Sequence, residues 1–87
     1  MKFVQARHYH QGRLKPVRVV VVHSMEIPEK PNTAEGCAEM FRTTEREASA
    51  HVCVDADSAV QCVKDEDTAW AAPGANADGL QIEHAGH

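Results

Sequence analysis

The sequence predicts an α/β domain in which one main helix packs on a mixed central β-sheet. Five valines fall between positions 17 and 22, which is the β-branched composition of a buried strand. A stripe of small and apolar residues with helical spacing follows over residues 33–43. Two short alternating segments within residues 51–63, separated by a polar turn, have the pattern of a β-hairpin.

Size and charge restrict the class of protein. The 87 residues are 43% hydrophobic and 25% charged, which predicts one globular domain over residues 1–87. The net charge is −4 and the nine basic residues are scattered, which argues against a nucleic-acid partner or an anionic membrane surface. No apolar run is long enough to cross a bilayer, and the first ten residues lack the apolar core of a signal peptide. Three cysteines without a CxxC pair predict buried free thiols in an intracellular product.

The first strands are predicted from the amino-terminal third. Lys2–Tyr9 has the weak alternation of a short edge strand. Val17–Glu26 is predicted to be the central strand, buried on both faces, with His23 at its carboxyl end. His23 either contributes to a site built on the rigid end of this strand or simply caps the strand and faces water. His8 and His10, two residues apart beside a turn, are predicted to be surface residues rather than a metal-binding pair.

The helix is predicted from Thr33 to about Thr43. Asn32 is expected to be its N-cap, with Glu35 three residues later completing a capping box. Gly36 within it costs about 1 kcal/mol relative to alanine. The apolar stripe that we expect to face the sheet consists of Ala34, Cys37, Ala38 and Phe41.

The hairpin is predicted to join residues 51–54 and 59–63 through a turn at 55–58. His51 and Cys53 share a face by the two-residue period, and Cys62 is expected across from one of them. This set is either a zinc site or part of the core, and the cysteine spacing favours the core. A last strand is predicted at Leu80–Glu83, after a loop over residues 71–79.

Five blocks, in order, carry a resemblance to a known family: VVVVHSME, PEKPNTAEGCAEMF, ASAHVCVDADSAVQCV, DTAWAAPGAN and LQIEHAG. Together they resemble the amino-terminal part of zinc-dependent N-acetylmuramoyl-L-alanine amidases, within the type 2 amidase and peptidoglycan-recognition-protein fold. Within this fold the chain resembles endolysins of bacteriophages that infect actinobacteria. The resemblance implies hydrolysis of the peptidoglycan amide bond between the muramic acid lactyl group and the L-alanine of the stem peptide.

The resemblance also implies roles for individual residues. His23 matches the first zinc ligand, and Glu83 matches the carboxylate that acts as general base, although an exposed position on an edge strand is the alternative for Glu83. Trp70 and Asn76 are the implied substrate-binding residues. The chain departs from the family at Ala71 and Ala77, where histidines are frequent. A third departure is Gln81, where a glycine is common.

In the family the second and third zinc ligands come from segments that would follow residue 87. We therefore expect a partial domain that is inactive alone, with an exposed apolar face and with zinc bound only if the protein is active. The expected partner is peptidoglycan or a complementing amidase chain. The alternative is a non-catalytic phage virion accessory protein that binds phage structural proteins or associates with itself through the exposed sheet face. The expected location is the host cytoplasm during phage production, then the cell wall or the virion.

Overall fold

The computed structural model describes residues 1–28, 30–71 and 76–86. Along this part of the chain the strands are β1 (Lys2–Phe3), β2 (Tyr9–His10), β3 (Val19–Ser24), β4 (Val52–Val54), β5 (Ala59–Gln61), β6 (Thr68–Ala69) and β7 (Gly79–His84). The helix α1 (Thr33–Thr43) lies between β3 and β4. No helix in the described ranges is long and apolar enough to cross a membrane.

Five of the strands form one mixed sheet in the order β1-β5-β4-β7-β3. The β4–β5 pair is antiparallel, with Cys53 opposite Val60, while β1–β5, β4–β7 and β7–β3 are parallel. β2 and β6 form a separate antiparallel pair. The predicted α/β class, the mixed sheet and the hairpin are therefore confirmed. The predicted first strand is shorter than expected, because only Lys2–Phe3 and Tyr9–His10 are extended and they belong to different sheets.

The prediction that the valine-rich segment is the central strand is wrong. β3 pairs with β7 on one side and is the last strand of the sheet among the described residues. Val20 and Val22 are 59% and 60% exposed, so β3 is not buried on both faces. A run of valines selects the extended conformation, but burial depends on which other elements cover the strand. No helix or strand in the described ranges buries the side chains of Val20 and Val22.

The core lies between α1 and the β4–β5 hairpin. The buried face of α1 is the predicted stripe of Ala34, Cys37, Ala38 and Phe41. It packs with Cys53, Val60, Cys62 and Val63 of the hairpin. All three cysteines are free and buried, as predicted, and the sulfur atoms of Cys53 and Cys62 lie 3.7 Å apart.

The predicted capping box at the start of α1 is wrong. Asn32 stands at the N-cap position, but its backbone is left-handed and its side chain makes no capping hydrogen bond. Glu35 accepts a hydrogen bond from Ser58 instead. The capping role passes to Asp55 of the hairpin turn, whose Oδ2 accepts the Ala34 N–H at 2.8 Å. This contact lowers the pKa of Asp55, because the hydrogen bond favours the ionised carboxylate.

Candidate functional site

The carboxyl ends of β3 and β7 bring together His23 and Glu83, the predicted zinc ligand and the predicted general base. The strands are parallel and in register, with His23 opposite Glu83. Residues at matching positions of neighbouring strands point to the same face of a sheet, so both side chains lie on one face. His84 alternates with Glu83 and therefore points to the other face, as predicted. The predicted last strand is confirmed as β7.

His23 and Glu83 have different environments. His23 Nε2 lies 2.9 Å from Oε1 of Gln81, which is completely buried. Glu83 is half-buried, and this burial raises the pKa of its carboxyl group, while the nearby imidazoles of His23 and His84 lower the pKa by smaller amounts. A carboxyl group with a raised pKa is a better proton acceptor than a fully solvated one.

A cleft of about 330 Å³ lies beside Glu83. Its lining includes Met40 and Phe41 of α1, Trp70 after β6, and Arg46 after the helix. The lining is mostly apolar, with one carboxyl group, one guanidinium and two serine side chains, which is the composition expected of a small-molecule site. The structure thus brings Trp70 and Glu83 into one cleft.

Trp70 is held in place from two sides. Its backbone N–H donates to Ser49 Oγ and its carbonyl accepts from the Ser49 N–H. Its ring stacks on His8, with centroids 6.1 Å apart. Asn76 lies away from the Glu83 cleft, in a second hollow of about 300 Å³ that Trp70 also lines. Its Oδ1 accepts the N–H of Ala71 at 3.0 Å. Substrate binding by Trp70 and Asn76 stays a prediction.

His51 is a structural residue. Its side chain is completely buried. Nδ1 accepts the backbone N–H of Gln81 at 2.9 Å, and Nε2 is 2.8 Å from the carbonyl oxygen of Asp67, to which it donates. Burial lowers the pKa of His51, and the charge of Arg13 also lowers it, while the hydrogen bond to the Asp67 carbonyl and the charges of Asp65 and Asp67 partly oppose this shift. Because both ring nitrogens are used in this way, the geometry supports core packing over the alternative of a zinc site with Cys53 and Cys62.

The described residues do not form a complete metal site. Across residues 1–28, 30–71 and 76–86, no three histidine, cysteine, aspartate or glutamate side chains are grouped so that they could hold a metal ion. His23 with Glu83 provides two candidate groups, whereas a catalytic zinc site has three protein ligands. These residues alone therefore do not supply the ligand set of a catalytic zinc ion.

Sequence reasoning missed the roles of Gln81, His51 and Arg46. Gln81 differed from the family pattern, but nothing in the sequence indicated that its side chain reaches β3. His51 was recognised as a core candidate without its backbone partners. Arg46 lies in a polar connection and carries no sequence signal for the cleft.

Comparison with known proteins identifies the family. The sequence profile of the N-acetylmuramoyl-L-alanine amidase family matches residues 13–87, and the chain belongs to this family. Comparison with curated proteins gives no significant match.

Solved structures support the fold. The catalytic domain of XlyA is 17% identical with a TM-score of 0.76, and a mutant endolysin from Bacillus subtilis is 18% identical with a TM-score of 0.74. Both alignments cover 97% of this chain, and they cover 60% and 59% of the respective structures. PlyL is 26% identical with a TM-score of 0.65, over 92% of this chain and 48% of PlyL. The chain therefore spans about half to three fifths of the length of these structures.

Proposed function

We propose that this domain acts on peptidoglycan as part of an amidase site that hydrolyses the bond between N-acetylmuramic acid and L-alanine. The family match and the fold support the substrate class. The single observation that carries the proposal is the position of Glu83, in register with His23 at the strand ends and inside the Trp70 cleft. A muropeptide has an apolar sugar face that can pack on the Trp70 ring and an amide bond that can lie beside the Glu83 carboxylate.

In this proposal Glu83 is the general base. Hydrolysis of an amide requires a water molecule to lose a proton as its oxygen attacks the carbonyl carbon, and the carbon–nitrogen bond then breaks as the leaving amine gains a proton. Glu83 accepts the first proton and can return it to the amine. The raised pKa of its carboxyl group suits both transfers.

His23 is proposed as one ligand of a zinc ion. The further donors would come from outside the described residues, because these provide no three-residue group. For the same reason we propose that the described residues alone do not suffice for turnover. The proposed setting is an endolysin of an actinobacterial phage, made in the host cytoplasm and acting on the cell wall, with peptidoglycan or a complementing amidase chain as partner.

Trp70 gives a direct test of binding, because it is the protein's single tryptophan. We expect its fluorescence to change in a saturable way when N-acetylmuramoyl-L-alanyl-D-isoglutamine is added, since Trp70 lines the Glu83 cleft. Free N-acetylmuramic acid and the free dipeptide, each presenting half of the ligand, should bind more weakly. The variant Arg46→Ala, changed inside the cleft, should weaken the response, whereas Arg7→Ala, changed at an exposed position outside the cleft lining, should not. An unchanged spectrum at millimolar ligand would contradict the proposal.

One observation favours a second candidate, a non-catalytic accessory protein of the phage virion. Val20 and Val22 expose apolar surface on a strand at the end of the described sheet, and such edges readily pair with other chains. In that case self-association or binding to phage structural proteins would use β3. Stable oligomers that neither take up zinc nor bind the muropeptide would favour this candidate.

A further inference from the structure

Gln81 connects β7 with the site on β3. It lies two residues before Glu83, is completely buried, and its Oε1 lies 2.9 Å from Nε2 of His23. Burying an amide side chain in a sheet is costly unless the amide makes hydrogen bonds, so this contact contributes to holding both side chains in place.

The contact with Gln81 determines which ring nitrogen of His23 carries the proton. An amide oxygen has no proton to donate, so the contact is a hydrogen bond only when His23 Nε2 carries the proton. In the neutral imidazole the proton-free nitrogen is then Nδ1, and only a proton-free ring nitrogen can bind a metal.

The backbone of Gln81 is itself fixed. Its N–H donates to Nδ1 of His51, and its carbonyl oxygen accepts the backbone N–H of His51 at 2.9 Å. Both residues are completely buried. Gln81 therefore presents its side chain to β3 from a rigid position, which is the requirement for a residue that orients another.

We propose that Gln81 is a positioning residue for His23, and that its amide oxygen holds the Nε2–H tautomer so that Nδ1 is the nitrogen offered to a metal. The metal part of this inference rests on the ligand role of His23 proposed above. The orienting part rests on the geometry of Gln81 alone.

The test is a long-range ¹H–¹⁵N correlation spectrum of the metal-free protein labelled at histidine, recorded at pH 8. We expect His23 to show a protonated Nε2 with a slowly exchanging proton, and an unprotonated Nδ1. In Gln81→Met, which keeps the side-chain length and removes the acceptor, the Nε2 proton should exchange rapidly with water. In Gln81→Glu, which keeps an acceptor oxygen, the slow exchange should return.

Two controls separate orientation from folding. The ring signals of His51 should be the same in all variants, because its neighbours are backbone groups of Gln81 and Asp67 and the guanidinium of Arg13, none of which is substituted. Gln61→Met places the same change on β5, where Gln61 bonds to Val63 and Asp65, and should leave His23 unaltered. A His23 ring protonated at Nδ1, or an Nε2 proton unchanged in Gln81→Met with His51 intact, would overturn the proposal.

Zinc titration followed in the same spectra, in a preparation that supplies the remaining metal ligands, tests the consequence. We expect Zn²⁺ to move the Nδ1 resonance of His23, and Gln81→Met to weaken this binding by about 10- to 100-fold, the usual effect of losing a partner of a metal-bound histidine. Movement of Nε2 instead would overturn the proposal. If neither nitrogen responds, the ligand role of His23 fails, and the metal-free spectra still decide whether Gln81 orients the ring.

Discussion

Replacing His51 with leucine is expected to destabilise the domain strongly, although leucine has a similar size and is apolar. The substitution leaves the N–H of Gln81 and the carbonyl of Asp67 without their partner in a buried region. Each such unsatisfied group costs about 1–3 kcal/mol, so we expect a loss of about 2–6 kcal/mol. Domains are stable by only about 5–15 kcal/mol. Urea unfolding followed by circular dichroism measures the loss.

The matched control is His10→Leu, which makes the same chemical change at an exposed position and should alter stability by no more than about 0.5 kcal/mol. If His51→Leu costs no more stability than His10→Leu, the two hydrogen bonds of His51 do not contribute to stability and its side chain only fills space in the core.

The pH dependence of stability gives a second measurement for His51. Because its pKa is lowered in the folded state, the unfolded chain binds a proton first as the pH falls. The contribution of His51 is therefore present above the unfolded value of about 6.5 and is lost as the pH falls from there towards the lowered folded value. Arg13 opposes protonation of the folded form, since its guanidinium lies 2.9 Å from Nε2 of His51. Stability of His51→Leu should lack this decline.

Local patterns were sufficient to predict much of the fold. The stripe on α1 was predicted because a helix imposes a fixed spacing, which places Ala34, Cys37, Ala38 and Phe41 on one face. The hairpin was predicted because its turn residues and alternation are local, and Asp55 and Ser58 close the turn as expected. The carboxyl-end position of His23 follows from the valine run alone.

What could not be predicted depends on distant contacts. The position of β3 at the end of the described sheet depends on which strands pair with it, and a run of valines does not distinguish an exposed strand from a covered one. The capping of α1 by Asp55 joins residues 21 positions apart, so the nearby pair of Asn32 and Glu35 was the only visible signal. The contact between Gln81 and His23 spans 58 positions and exists only because β3 and β7 pair in one particular register.

Glu83→Gln is expected to lower turnover by about 10²- to 10⁴-fold under the proposed function, because glutamine cannot accept the proton of the attacking water. The measurement is the release of new amino groups from a muropeptide, in a preparation that supplies Zn²⁺ and the remaining metal ligands. Glu47→Gln makes the same change at an exposed position outside the cleft lining and should keep full turnover. Unchanged turnover in Glu83→Gln would remove Glu83 from the mechanism.

The same variant should gain stability while it loses activity, and this combination separates a functional carboxylate from a structural one. Burial raises the pKa of Glu83, so its ionisation destabilises the folded state. The stability contributed by the protonated carboxyl group of Glu83 is therefore complete below the unfolded pKa of about 4.3 and is lost as the pH rises through the folded pKa. Glutamine does not ionise, so Glu83→Gln should melt higher than the parent at pH 7, and the difference should vanish near pH 3. A carboxylate retained for structure would give the opposite result, because its removal would lower the melting temperature at pH 7.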